Sequence, residues 1–198
     1  MSRSGDNTMS VIRNLGYGAA LAMLLATTTA NAQDLSETQL VNTLGQVSNE
    51  GAPIDVALLV QEVTENVGQG VANLPNWSRL AGMPQLTVEI NFENNSIAIE
   101  PSSYRAVGQI ADALHHPILS KNKFLVVGHT NATGDPKHNL KLSDERANAI
   151  VEALSTTFAI PASHLVGIGV GSELPVDPAD PKAPVNRRVQ LINIGKAN

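Results

Sequence analysis

The chain has 198 residues, room for one or two domains. Its 13 Lys and Arg face 18 Asp and Glu, a formal net charge of −5, which leaves no basic stripe for nucleic acid. The absence of cysteine excludes disulfides, thiolate metal sites, iron–sulfur clusters, a cysteine nucleophile and a lipid-bearing N-terminal cysteine. At 42% apolar and 3% aromatic, a core is affordable mainly from Ala, Val, Ile and Leu.

Residues 1–32 read as an export signal. No charge falls between Arg13 and Asp34. The most apolar part, Leu15 to Ala26, is about 12 residues, short of the ~20 a spanning helix needs but right for a signal-peptide core. Ala30-Asn31-Ala32 supplies the small-x-small cleavage pattern, predicting a mature start at Gln33. The alternative is an uncleaved anchor, against which Thr27 to Thr29 and Asn31 weigh.

Residues 33–84 form a lead-in. Leu40, Leu44 and Val47 keep helical spacing. A second run starts at Pro53 and repeats through Val56, Leu59, Val60, Val63 and Val67, ending at Gly68 and Gly70. Asn73 to Pro84, with two prolines, Gly82 and Trp77, reads as a linker. The lead-in either packs on the domain that follows, self-associates, spaces it from elsewhere, or holds an outer-membrane or periplasmic partner.

Residues 85–196 alternate strand and helix. Leu86, Val88 and Ile90 alternate with polar residues, a half-buried strand. Pro101 opens a helix through Val107, Ile110, Ala111 and Leu114, stopped before Pro117. Phe124 to Val127 is an uninterrupted apolar run, a buried strand. Asp135-Pro136 caps a helix bearing Ala147, Ile150, Val151 and Leu154 on one face. Leu165 to Val170 is a third strand, Ser172 to Asn186 a proline-rich loop, and Arg188 to Ile194 the last strand. The order β-α-β-α-β-β implies an α+β sandwich, helices on one face of a mixed sheet, preceded by a short helical segment.

Chemistry concentrates in Gly128-His129-Thr130-Asn131-Ala132-Thr133-Gly134, a polar turn at the end of a buried strand. In the following helix Asn139, Leu142 and Arg146 share a face at i, i+3 and i+7. Arg146 falls in the N-terminal part of that helix, where the dipole disfavours a cation. Such an arginine is solvated, pairs with Asp144, Glu145 or Asp135, or awaits an anionic ligand. The five histidines show no metal spacing. There is no G-x-S-x-G, and Ser172 breaks the glycine pattern a dinucleotide site would need after Gly167 and Gly169. No cofactor and no enzymatic activity are expected.

In order along the chain, Phe92, Asn95, Ser96, Ile99 and Pro101, then Gly128-His129-Thr130 with Gly134, then Asn139, Leu142, Ser143, Arg146 and Ala147, then Gly167-x-Gly169 and Asn186-Arg187-Arg188-Val189, resemble the OmpA-like C-terminal domain. This family includes the peptidoglycan-associated lipoprotein and the MotB C-terminal domain. The resemblance covers about residues 86–195. It implies a non-catalytic cell-envelope protein of the periplasm, associated with the wall and open to outer-membrane association, binding the diaminopimelate of the peptidoglycan stem peptide. That group is a zwitterion, so a cation must face its carboxylate and an acceptor its ammonium. Arg146 matches the family arginine, whose planar fork holds a carboxylate. The family acceptor, an aspartate after His-Thr, is Asn131 here. A neutral acceptor forgoes about 1–2 kcal/mol, roughly tenfold in affinity or more. Weak wall binding, substitution by Asp135, or a different ligand would each follow; a scaffold protein whose wall site has decayed is the alternative function. Thr133 and Ala132 offer a hydroxyl and an amide to the ligand or to the turn. Asn139 meets the ligand or caps the turn, and Leu142 is wall or core. Strand alternation lets only one of Arg187 and Arg188 face the pocket, and the resemblance favours Arg187. Phe92 reads as core and His129 as structural.

Overall fold

The computed structural model describes residues 36–46, 53–93 and 96–197. The expected export signal, its cleavage site and Val47 lie outside them. Four strands, β1 (Gln85–Val88), β2 (Asn122–Gly128), β3 (Leu165–Gly169) and β4 (Val189–Lys196), form one sheet in the order β1-β4-β2-β3. Strand β4 runs antiparallel to both neighbours, while β2 and β3 are parallel. This is the expected mixed α+β sheet.

The helices are α1 (Glu37–Leu44), α2 (Val56–Glu65), α3 (Pro75–Leu80), α4 (Tyr104–His115) and α5 (Pro136–Glu152). Several ends are encoded locally. Ser36 and Gln39 form a capping box on α1. The Asp55 carboxylate accepts from the Ala57 and Leu58 amides, so α2 starts after Asp55 and Pro53 stays outside. Asp135 accepts from His138 N, with Pro136 in the first turn of α5. A 3-10 turn at Pro101–Ser103 leads into α4. Past Glu152, α5 widens into a π turn, Ala153–Thr157.

The sheet is covered on both faces. Phe124 and Val126 of β2, with Val189 and Leu191 of β4, face Val107, Ile110, Ala147 and Ile150 of α4 and α5; Leu40 and Leu44 of α1 join them. The alternate residues Leu125, Val127 and Ile192 face the other way, onto Leu59 and Val63 of α2 and Trp77 and Leu80 of α3. Helices α4 and α5 thus keep to one face, as expected, joined there by α1, while α2 and α3 of the lead-in supply the other layer. The uninterrupted run Phe124 to Val127 is the sequence trace of this two-sided burial. The stretch expected as a linker, Asn73 to Pro84, instead contains α3. Its reason is tertiary: Trp77 is buried and its indole N–H donates to Leu59 O at 3.1 Å.

Helix α5 lies directly on the parallel pair. Gly128 and Gly169 are partners in the β2–β3 register, as are Val126 and Gly167. A Cβ on Gly128 would collide with the Ser143 carbonyl oxygen. One on Gly169 would reach 2.6 Å from the Asp144 Cα, and one on Gly167 3.1 Å from the Ala147 carbonyl carbon. These glycines are therefore required by the backbone approach. Two bonds fasten the crossing: Gly171 N donates to Ser143 Oγ at 2.8 Å and Gly169 N to Asp144 Oδ1 at 3.1 Å. Gly169→Ala is expected to lower the unfolding free energy by about 3 kcal/mol or more, at the upper end of overpacking costs, read as a fall in the denaturant midpoint.

Candidate functional site

The crossing of α5 sets Arg146 at the mouth of a narrow cleft of about 20 Å³. Ile90, Phe92, Gly128, His129, Arg146, Arg187, Arg188 and Val189 line it. The Arg146 guanidinium lies 4.9 Å from the Phe92 ring centroid and donates from Nε to Ser96 O at 3.2 Å. Phe92 also packs against the core, so it serves both surfaces. Arg146 is half-buried; desolvation, and then the charge of Arg187, lower its pKa from the ordinary arginine value. It remains a cation at neutral pH.

The carboxylates that could have neutralised Arg146 are engaged elsewhere. Asp135 caps α5. Asp144 accepts from Gly169 N and from Asn148 Nδ2. Glu145 pairs with Lys141 at 3.7 Å. Among the described residues no ion pair joins Arg146 to a carboxylate. The helix dipole is not the reason for its electrostatic discomfort: α5 begins at Pro136, so Arg146 lies past the helix middle, where that effect has faded.

Both Arg187 and Arg188 reach the cleft, contrary to the expectation from strand alternation. Strand β4 begins only at Val189, after a 3-10 turn at Pro184–Asn186, so the pleat does not govern either arginine. Arg187 is exposed. Arg188 turns its guanidinium onto the backbone, donating from Nη1 to Asn186 O at 3.3 Å and from Nη2 to Leu174 O at 2.9 Å. Burial pushes its pKa down to about 10.

The other expected site residues form a separate cluster in the turn. The Asn131 amide donates to Lys182 O at 2.8 Å, and its side-chain oxygen accepts from Thr133 Oγ1 at 2.7 Å. The carbonyl can only accept, which fixes the amide orientation. Asn131 is buried and does not line the cleft. Asn139 is buried below it, donating to Asn131 O at 3.3 Å and Thr133 O at 3.1 Å. Ala132 N donates to Pro181 O at 2.8 Å. Thr133 is exposed, and Leu142 is half-buried outside both apolar clusters. Of the seven expected site residues, the cleft thus brings together Arg146 and Arg187. Asn131, Ala132, Thr133 and Asn139 hold the turn to itself and to the 172–186 loop.

His129 and Glu173 were not read as site residues. His129 lines the cleft, with Nε2 3.1 Å from Gln190 Oε1. The Gln190 amide nitrogen donates to Gln85 Oε1, so its oxygen faces the ring and Nε2 carries the proton. Nδ1 is then an acceptor, buried without a partner among the described residues. Desolvation, then the charge of Arg188, hold the His129 pKa well below the ordinary value, only partly offset by the Gln190 bond. Glu173, in the proline-rich loop, is buried and accepts from Gly68 N and Gly70 N at 2.8 Å each. Those glycines have φ of +84° and +80°, and their amides converge on one carboxylate. No local sequence signal marks this contact, which spans about half the chain.

The fold and the cleft define a small α+β domain that presents arginines at the carboxyl end of a buried strand. Residues 91–188 match the family model described as the OmpA family, and this segment of the chain belongs to that family. Outer membrane porin F of Pseudomonas aeruginosa is 28% identical over 115 residues, covering 56% of this chain and 32% of the relative. Outer membrane protein A of Shigella flexneri is 28% identical over 145 residues, covering 71% and 41%. The chain thus spans about a third to two fifths of the length of these curated relatives. Among solved structures, the peptidoglycan-associated lipoprotein of Burkholderia pseudomallei is similar at 28% identity, covering 62% of this chain and 98% of that one with a TM-score of 0.44.

Two outcomes follow from this geometry. Unfolded His129 takes a proton below about pH 6.5, whereas folded His129 resists it. Its contribution to stability is therefore complete above that pH and is lost as the pH falls, at up to about 1.4 kcal/mol per pH unit. Urea unfolding at stepped pH should show this slope in wild type and a shallower one in His129→Gln. Separately, Asn131→Asp removes the donor to Lys182 O and sets a carboxylate against that carbonyl. Its unfolding free energy is expected to fall by about 1–3 kcal/mol at pH 7.

Proposed function

We propose that the protein is a non-catalytic component of the cell envelope that holds peptidoglycan by a carboxylate of the stem peptide, with Arg146 as the principal contact and Arg187 beside it. One observation carries this reading: Arg146 is a half-buried cation seated on Phe92 with no carboxylate partner among the described residues. Burying part of a guanidinium without an ion pair is unfavourable unless an anion arrives. The kinship with the OmpA family supports the same reading. Residues 1–32 act as the export signal in this view, and the protein works in the periplasm. No helix among the described residues is long and apolar enough to cross a membrane.

A second reading is favoured by the face that carries α2. Val60, Val63, Thr64, Leu140, Lys137 and Lys141 border a hollow of about 290 Å³ between α2 and α5, and Leu58 and Val60 stand exposed next to it. On this reading the protein is an envelope scaffold that binds another protein through residues 33–84, and its wall contact is secondary.

Sedimentation with purified sacculi separates the two. Under the first reading wild type sediments with the wall and Arg146→Ala binds about tenfold to a hundredfold less, the loss of a charge-assisted contact of about 1.5–3 kcal/mol. Wild-type protein that stays in solution while remaining folded by circular dichroism would leave the scaffold reading standing.

A further inference from the structure

Three arginines, Arg146, Arg187 and Arg188, line the cleft, and no acidic side chain does. Among the described residues none of the three is ion-paired to a carboxylate. Asp135, Asp144 and Glu145 are committed to the α5 cap, to Gly169 N and to Lys141. Asn131, which stands at the turn, directs its amide to Lys182 O and its oxygen to Thr133, leaving neither toward the cleft. The only other titratable side chain in the lining is His129, with its acceptor nitrogen buried; Ile90, Phe92, Gly128 and Val189 make up the rest. A ligand that brings its own ammonium into this cleft meets cations and no counter-charge.

Building on the wall-peptide reading above, we propose that this cleft selects the net-anionic form of the stem-peptide group: a free carboxylate on a residue whose side-chain amine is acylated, as it is in a cross-link, rather than the zwitterion with a free ammonium. The carboxylate meets Arg146 and Arg187. The acylated amine brings no positive charge and asks for no acidic partner. Cross-linked peptides, in which one residue's amine has become an amide, are then ligands in their own right.

The test compares three diaminopimelate-bearing stem-peptide fragments by calorimetric titration of the folded protein at low salt. One has the side-chain amine free, one has it acetylated, and one has the side-chain carboxylate amidated. The acetylated fragment is expected to bind at least as tightly as the free amine and about threefold tighter when screening is weak, and the amidated one to lose most binding. Arg187→Glu, at an exposed position, supplies the missing acid and is expected to reverse the order. Tighter binding of the free-amine fragment by wild type overturns this inference and leaves the wall-peptide reading intact. Failure of all three fragments to bind overturns that reading together with this inference.

Discussion

Helix α5 rests on strands β2 and β3 with no side chain between their backbones at Gly128 and Gly169. The rest of the site depends on this contact. A helix so close cannot rotate without colliding with the sheet, so each residue on it has one outlook. Ser143 and Asp144 face the strand ends and accept from Gly171 N and Gly169 N. Ala147 and Ile150 face the core. Arg146 is carried to the side, onto Phe92 and the Ser96 carbonyl. Ordinary residues at the glycine positions would lift the helix by more than an ångström, and the arginine would leave its aromatic seat.

The electrostatics of the cleft follow from where its neighbours spend their bonding capacity. Carboxylates close in sequence to Arg146 are taken by a helix cap, a strand-end amide and a surface lysine. Arg188 satisfies two donors on backbone carbonyls, which leave its charge uncompensated. Burial first, and then the field of Arg188, hold the His129 pKa well below its ordinary value. The result is a concentration of positive charge on a chain whose formal net charge is −5. Such a field is local: at physiological ionic strength it fades over about 8 Å. It therefore acts on the group that enters the cleft more than on the approach of a whole polymer.

The sheet was legible in the sequence because its patterns are local. Period-two alternation marks β1 as a half-buried edge, and the unbroken run in β2 marks a strand covered on both sides. What covers the second side was not legible, because Pro75 to Leu80 forms a helix only where Trp77 has a core to enter. The site was legible in part. Arg146 stood out by its spacing, yet the dipole rationale placed it in the N-terminal part of a helix that starts at the expected Asp135 cap and carries Arg146 past its middle. Asn131 reads as a ligand contact along the chain. Its actual partner, Lys182, lies 51 residues away, and no spacing rule reaches that far.

The 172–186 loop ties these parts into one system. It contains no regular element except a 3-10 turn at its end; the buried Asn186 ties it internally, accepting from Val176 N and Asp177 N and donating to Asp180 O, and further bonds hold it from outside. Asn131 and Ala132 hold its far limb through Lys182 O and Pro181 O, and Arg188 holds Leu174 O. Its near limb is held by Glu173 on the Gly68 and Gly70 amides. Charge-assisted bonds of this kind are worth about 1.5–3 kcal/mol each when buried, comparable to a large share of a domain's net stability. The lead-in is thus more than a cover for the second face of the sheet. Through Glu173 it steadies the loop that fixes Arg188, and through Arg188 the charge of the cleft. A partner that displaced the Gly68–Gly70 turn would loosen one end of the frame in which the arginines are set, so the two surfaces on which the protein could be recognised share a mechanical support.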